Sequence, residues 1–215
     1  MNETSAKTVS RRAAWSRSLI GLLLALPLAV LVAGIFACLP VPIGDPEKSK
    51  VDEKLVGGWI VANEDKSSTI YIVRAFDQRT YMIQGLDFEV AADKSIKPKS
   101  TMTFKAWLTP IGKETFICVE TLNPETPLGI ADKGEKQTFL VAAISLKDDE
   151  LTMRVVKPDS PQLKDVKTTA DADKALAAHV GELEMYSDPT VFKKLGKNDA
   201  ETVQAVLKAF QISGK

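Results

Sequence analysis

One histidine and two cysteines in 215 residues leave little material for metal or thiol chemistry. His179 has no Cys/His/Asp cluster around it at ligand spacing, so the sequence predicts no metal site and no other cofactor. Cys38 and Cys118 alone provide no intramolecular disulfide framework. Cys118 lies in the strand-like run Thr115-Phe116-Ile117-Cys118-Val119 and reads as a buried, inert thiol. There is no G-x-S-x-G elbow, no phosphate-cradling glycine loop, no H-E-x-x-H and no dinucleotide fingerprint. The carboxylates of Asp148-Asp149-Glu150 and of Asp171 and Asp173 fall in a turn and at a helix start, where solvation and the helix dipole account for them. Ser-His-Asp catalysis would have to use His179, which sits on the apolar stripe of a helix. No catalytic residue is expected, and the protein is read as a non-enzyme.

An excess of charge is also missing: 28 Lys and Arg balance 28 Asp and Glu. Four of the basic residues and one of the acidic ones precede Cys38, which leaves 24 basic against 27 acidic in the remainder. A nucleic-acid binder would show a basic domain with clustered Lys and Arg, so no nucleic-acid partner is expected.

What is present begins with an apolar run from Leu19 to Ala37. As a helix rising about 1.5 Å per residue it would be roughly 30 Å long, the thickness of a bilayer's hydrocarbon core. Lys7, Arg11, Arg12 and Arg17 precede it while the following flank mixes both signs, so the amino terminus is expected in the cytoplasm and the rest outside. Ile35-Phe36-Ala37-Cys38 resembles the lipobox of bacterial lipoproteins, which implies lipidation of Cys38 after cleavage. The alternative is a retained single span. Either way the expected location is a bacterial cell envelope, with the membrane as partner and the carboxy-terminal domain on its extracytoplasmic side.

The chain then divides simply. Residues 1–18 form the basic cytoplasmic end and 19–38 the membrane or signal segment. Three prolines in Leu39-Pro40-Val41-Pro42-Ile43-Gly44-Asp45-Pro46 favour an extended, semi-rigid spacer over 39–54. Residues 55–215 make a single domain, helical from about 169 to 213.

Within that domain the first signal is β. Seven strand-like runs occur: Leu55–Val61, Ser68–Phe76, Thr80–Val90, Thr101–Leu108, Glu114–Leu122, Gln137–Leu146 and Leu151–Val156. The links around Lys94 to Ser100 and Asn123 to Lys136 carry Pro and Gly and read as rim loops. The fold class is mainly β (α+β), an antiparallel meander closed as a small barrel or folded as a sandwich.

Helices follow. Ala172, Ala175, Leu176, His179, Val180 and Leu183 share one helical stripe. Asp188-Pro189 predicts a cap and first-turn proline for a short helix through Val191, Phe192 and Leu195, ended by Gly196. Asn198 with Glu201 has the form of a capping box, and Val203, Val206, Leu207 and Phe210 then line one face.

Gly57-Gly58-Trp59 at the start of the first strand resembles the G-x-W that opens lipocalins, and the order of strands followed by helix is similar to theirs and to that of bacterial envelope lipoproteins. The resemblance implies that Trp59 closes a barrel floor. Two charges stand among apolar neighbours: Arg74 shares a strand face with Ile70, Ile72 and Phe76, and Glu120 shares one with Phe116, Cys118 and Leu122. Inward-facing, they would need to pair. Outward-facing, they would need nothing, and the opposite faces are equally apolar. The expected function is a membrane-tethered binding module for an apolar small molecule or lipid; the alternative is an interaction protein docking another envelope protein.

Overall fold

The computed structural model describes residues 38–63, 67–122 and 138–213. The expected membrane segment, the lipobox residues before Cys38 and the rim stretch 123–137 lie outside the described residues. Among the described residues no helix is long and apolar enough to cross a membrane.

In chain order the elements are β1 (Cys38–Leu39), β2 (Gly57–Ala62), β3 (Ser68–Ala75), β4 (Thr80–Val90), β5 (Ile96–Ile111), β6 (Glu114–Thr121), β7 (Phe139–Lys147), β8 (Glu150–Val155), α1 (Thr169–His179), β9 (Thr190–Lys194) and α2 (Ala200–Ser213). From β2 to β9 every strand pairs antiparallel with its successor, and β9 pairs with β2 as well. The sheet therefore closes into an eight-stranded barrel rather than a sandwich. The two-residue β1 adds to β7 above the end of β8, with Cys38 opposite Leu140 and Leu39 opposite Phe139.

The eighth barrel strand corrects the sequence reading. Thr190 to Lys194 is β9, not the helix that Asp188-Pro189 was expected to start. Its residues alternate, Phe192 inward and Val191 and Lys193 outward, and its backbone is taken up by ladders to β8 and β2. Without it, two strand edges would be left unpaired. Ladder bonds on both sides outweigh a local capping signal, and Pro189 stands just outside the strand where its missing N–H costs nothing. A second correction is at β5, which begins at Ile96, so the expected rim loop is reduced to a turn at Ala91–Ser95.

The stretch 39–54, expected as a spacer, is laid against the barrel instead. Leu39 and Ile43 are 2% and 0% exposed, and Trp107 Nε1 donates to the Ile43 carbonyl at 2.8 Å. Gly44 adopts φ +64°, and a Cβ there would lie 2.0 Å from Thr109 Oγ1.

Two helices cover the outer wall. Thr168 caps α1: its hydroxyl accepts from Asp171 N–H, and the Asp171 carboxylate accepts from Thr168 N–H in return. Ala172 and Leu176 of α1 are buried with Trp107, Phe116, Cys118 and Val141 of β5 to β7. Leu183, expected on the same stripe, lies past the end of the helix and is 71% exposed. Over β2 to β5, Val206 of α2 is buried with Ile70, Leu86 and Phe88, and Ile96 of β5 packs against them. The expected Asn198/Glu201 box is replaced by the Asp199 carboxylate, which accepts from Gly196 N–H at 2.8 Å ahead of the helix.

Candidate functional site

Strand alternation assigns Trp59, Tyr71, Tyr81, Ile83, Phe104, Ala106, Ile117 and Ala142 to the inner wall. The odd feature is where the protein is dry. Beneath α1, on the outside of the barrel, fifteen hydrophobic residues are buried and four are half-buried; in the inner-wall cluster six are buried and thirteen only half-buried. Half-buried inner residues such as Phe104, Val119, Leu140, Met153 and Val155 keep solvent access that Phe116 and Val141 have lost. A barrel filled by its own side chains would show the reverse. The inner wall is apolar and keeps accessible surface, and the sealed core lies outside it.

One end of the barrel is closed. Trp59, 1% exposed, donates its indole N–H to the Leu55 carbonyl at 2.8 Å, and Tyr81 Oη accepts from the Asp52 N–H. Lys194 Nζ donates to the Lys54 carbonyl at 2.8 Å and stands 5.3 Å from the centre of the Trp59 ring. The strap Asp52–Leu55 is thus stitched to Trp59, Tyr81 and Lys194 at this end of the barrel. Gly85 makes room above Trp59, because a Cβ there would meet Tyr71 Cε1 at 3.2 Å.

At the opposite end the inner wall turns polar. Asn63 Nδ2 donates to Ser67 Oγ at 2.8 Å and to Thr69 Oγ1 at 3.0 Å, with Asp87 Oδ1 at 3.5 Å. Burial, with the nearby Asp87 charge, holds the Tyr71 phenol above its ordinary range. An accessible apolar inner wall with a dry aromatic end and a few hydrogen-bonding groups at one rim is the usual form of a small-molecule site. The sequence reading missed this cluster. Its one signal is that Thr69 and Asp87 fall on the same alternation as Tyr71 and Gly85.

Arg74 and Glu120 are not brought together. Successive register partners Arg74, Met82, Lys105 and Glu120 form a row across four strands, which separates the two by about 14 Å at about 4.8 Å per strand. Both lie on the outer wall, Arg74 exposed and Glu120 half-buried. In a double-mutant cycle the losses from Arg74→Ala and Glu120→Ala should add to within about 0.5 kcal/mol, as for separated sites. Chemical denaturation of both single variants and the double variant checks this.

His179 belongs to a different arrangement. Its Nδ1 lies 2.6 Å from Glu182 Oε1, Gln162 Nε2 donates to Glu182 Oε2 at 2.6 Å, and the Ser160 hydroxyl donates to the Gln162 carbonyl oxygen. These bonds hold the Glu182 carboxyl below its ordinary range. The network fastens the turn at Ser160–Gln162 to the end of α1. Cys38 is half-exposed in β1, and no group of three or more Cys, His, Asp or Glu side chains among the described residues is placed to hold a metal ion.

Two buried groups make stability fall in alkali. Burial pushes the Tyr81 phenol from 10 up to about 12 and the Cys118 thiol from 9 up to about 12. Below its ordinary pKa each group is protonated in both states. As pH rises toward about 12, only the unfolded chain releases the proton, so each group removes up to about 1.4 kcal/mol of stability per pH unit above its ordinary pKa. Denaturation at about pH 8 and about pH 11 should show the decline, and Tyr81→Phe should make it shallower.

A scan against protein-family models and searches of curated proteins and of solved structures returned no match.

Proposed function

We propose that this protein is a non-enzymatic carrier or sensor module for an apolar small molecule or lipid, held at the extracytoplasmic face of a bacterial membrane by its amino-terminal segment or by lipid on Cys38. The observation that carries the reading is the inverted burial: a sealed outer wall around an inner wall that keeps solvent access. Half-exposed apolar surface inside a barrel is stabilised when a guest covers it, at roughly 25 cal/mol per Å² removed from water. The polar rim at Asn63, Thr69 and Asp87 supplies orientation for such a guest. The tether is read from the apolar run before Cys38 in the sequence.

Native mass spectrometry of the full-length chain extracted from membranes tests this. A co-purifying small molecule that dissociates on mild activation is the expected result. A bare barrel with a stoichiometric protein bound to it would favour the interaction role instead.

A further inference from the structure

The barrel wall is not continuous. β2 and β9 are paired only where Trp59 faces Lys194 and Ile60 faces Lys193, with one more bond below from Leu195 N–H to the Gly58 carbonyl. Beyond that, toward the open end, Val61 and Ala62 pair only with β3, while Thr190 to Phe192 pair only with β8. The two strands diverge into a notch. A groove of about 520 Å³ occupies it, within the range of small-molecule sites. Val61 and Thr190 of the inner face line it together with Ile60, Val191 and Lys193 of the outer face, so it lies where the two faces of the wall meet. Behind it, on the inside, Phe192 and Tyr71 meet edge to face with ring centres 5.7 Å apart, close to Trp59.

Lys193 is the single charged residue lining this groove, and it is exposed at the outer edge. Its register neighbours are Ile60 on β2 and Glu150 on β8, and among the described residues it takes part in no ion pair. Otherwise the lining is aliphatic apart from Ser68 and Thr190. We propose that the β2–β9 notch is a lateral portal for a single-chain anionic amphiphile, whose chain passes between the strands into the barrel while its acidic head stays at Lys193. This rests on the apolar-guest reading and narrows it to a class of ligand. A side entrance suits a chain that arrives from a bilayer, since the tail need never cross the polar rim at Asn63 and Asp87.

The test uses the full-length chain held in amphipol, with Trp15→Phe and Trp107→Phe so that Trp59 alone reports. Two probes are titrated at mildly alkaline pH: palmitate brominated at mid-chain, which is ionised there, and the matching brominated alcohol. Both should quench Trp59. Lys193→Glu, at an exposed position, should weaken the palmitate roughly five- to ten-fold and leave the alcohol within about two-fold. Ala62→Phe, which fills the notch, should weaken both. If both probes quench Trp59 but Lys193→Glu affects them equally or not at all, the portal is wrong and the apolar-guest reading stands. If neither probe quenches Trp59, both fall.

Discussion

Replacing Trp59 with alanine should destabilise the protein by about 3–5 kcal/mol, as expected for removing a large aromatic from a closed site. The side chain is 1% exposed and carries the hydrogen bond that holds the Leu55 carbonyl. Three costs combine: lost apolar burial, a cavity that strands β2 and β3 cannot collapse, and a carbonyl left without its donor. Trp59→Phe separates them, since it keeps most of the ring volume and drops only the N–H, and should cost roughly 1–2 kcal/mol. Urea unfolding followed by far-ultraviolet circular dichroism measures both. A loss below about 1 kcal/mol for Trp59→Ala would mean that the indole packs against nothing essential and that the strap over 52–55 is not anchored by it.

Gly44→Ala should cost about 2–4 kcal/mol, for two reasons that act at one position. Gly44 has φ +64°, where an L side chain is strained, and the added methyl would meet Thr109 Oγ1, Cγ2 and Cβ within 2.8 Å. Thr109 is β-branched, which restricts its side-chain rotation, and its backbone is held in β5 by pairing with Phe116 of β6. Its neighbourhood is also ordered by the Gly44 N–H, which donates to Asp173 Oδ1 at 2.8 Å and so ties the segment to α1. In a free spacer the same substitution would be neutral or slightly stabilising. A thermal or urea comparison therefore decides whether 39–54 is part of the fold or only a tether.

The parts of this architecture that local pattern can carry were legible. Period-two alternation located the cores of the first seven barrel strands, because each strand buries one face and its side chains alternate by geometry. The α2 stripe through Val203, Val206, Leu207 and Phe210 was likewise read from its spacing. The eighth strand was not, since five residues are too few to establish a period and Asp188-Pro189 imitates a helix start. Only closure of the barrel, a non-local requirement, makes Thr190–Lys194 a strand. Which face lines the interior was illegible for a related reason. Tyr71 and Val73 face in while Ile70 and Ile72 face out, and both sets are apolar because α2 covers the outside. With hydrophobic residues on both faces, alternation cannot say which face is the interior, and Arg74 and Glu120 could not be assigned to one. Trp59 was singled out by the Gly57-Gly58-Trp59 resemblance, whereas the polar rim of Asn63, Thr69 and Asp87 depends on register across three strands.

On the proposed function, the inside of the barrel, and not its helix-covered outside, takes the guest. Methionines report on both sides: Met102 and Met153 are half-buried on the inner wall, while Met185 is fully buried beneath the outer layer with Tyr186 and Leu176. The full-length chain labelled with carbon-13 at the methionine methyls, titrated with a long-chain alcohol and followed by nuclear magnetic resonance, reads them separately. Saturable shifts at Met102 and Met153 with Met185 unmoved are the expected result. Shifts at Met185 with the two inner methyls silent would contradict the proposal.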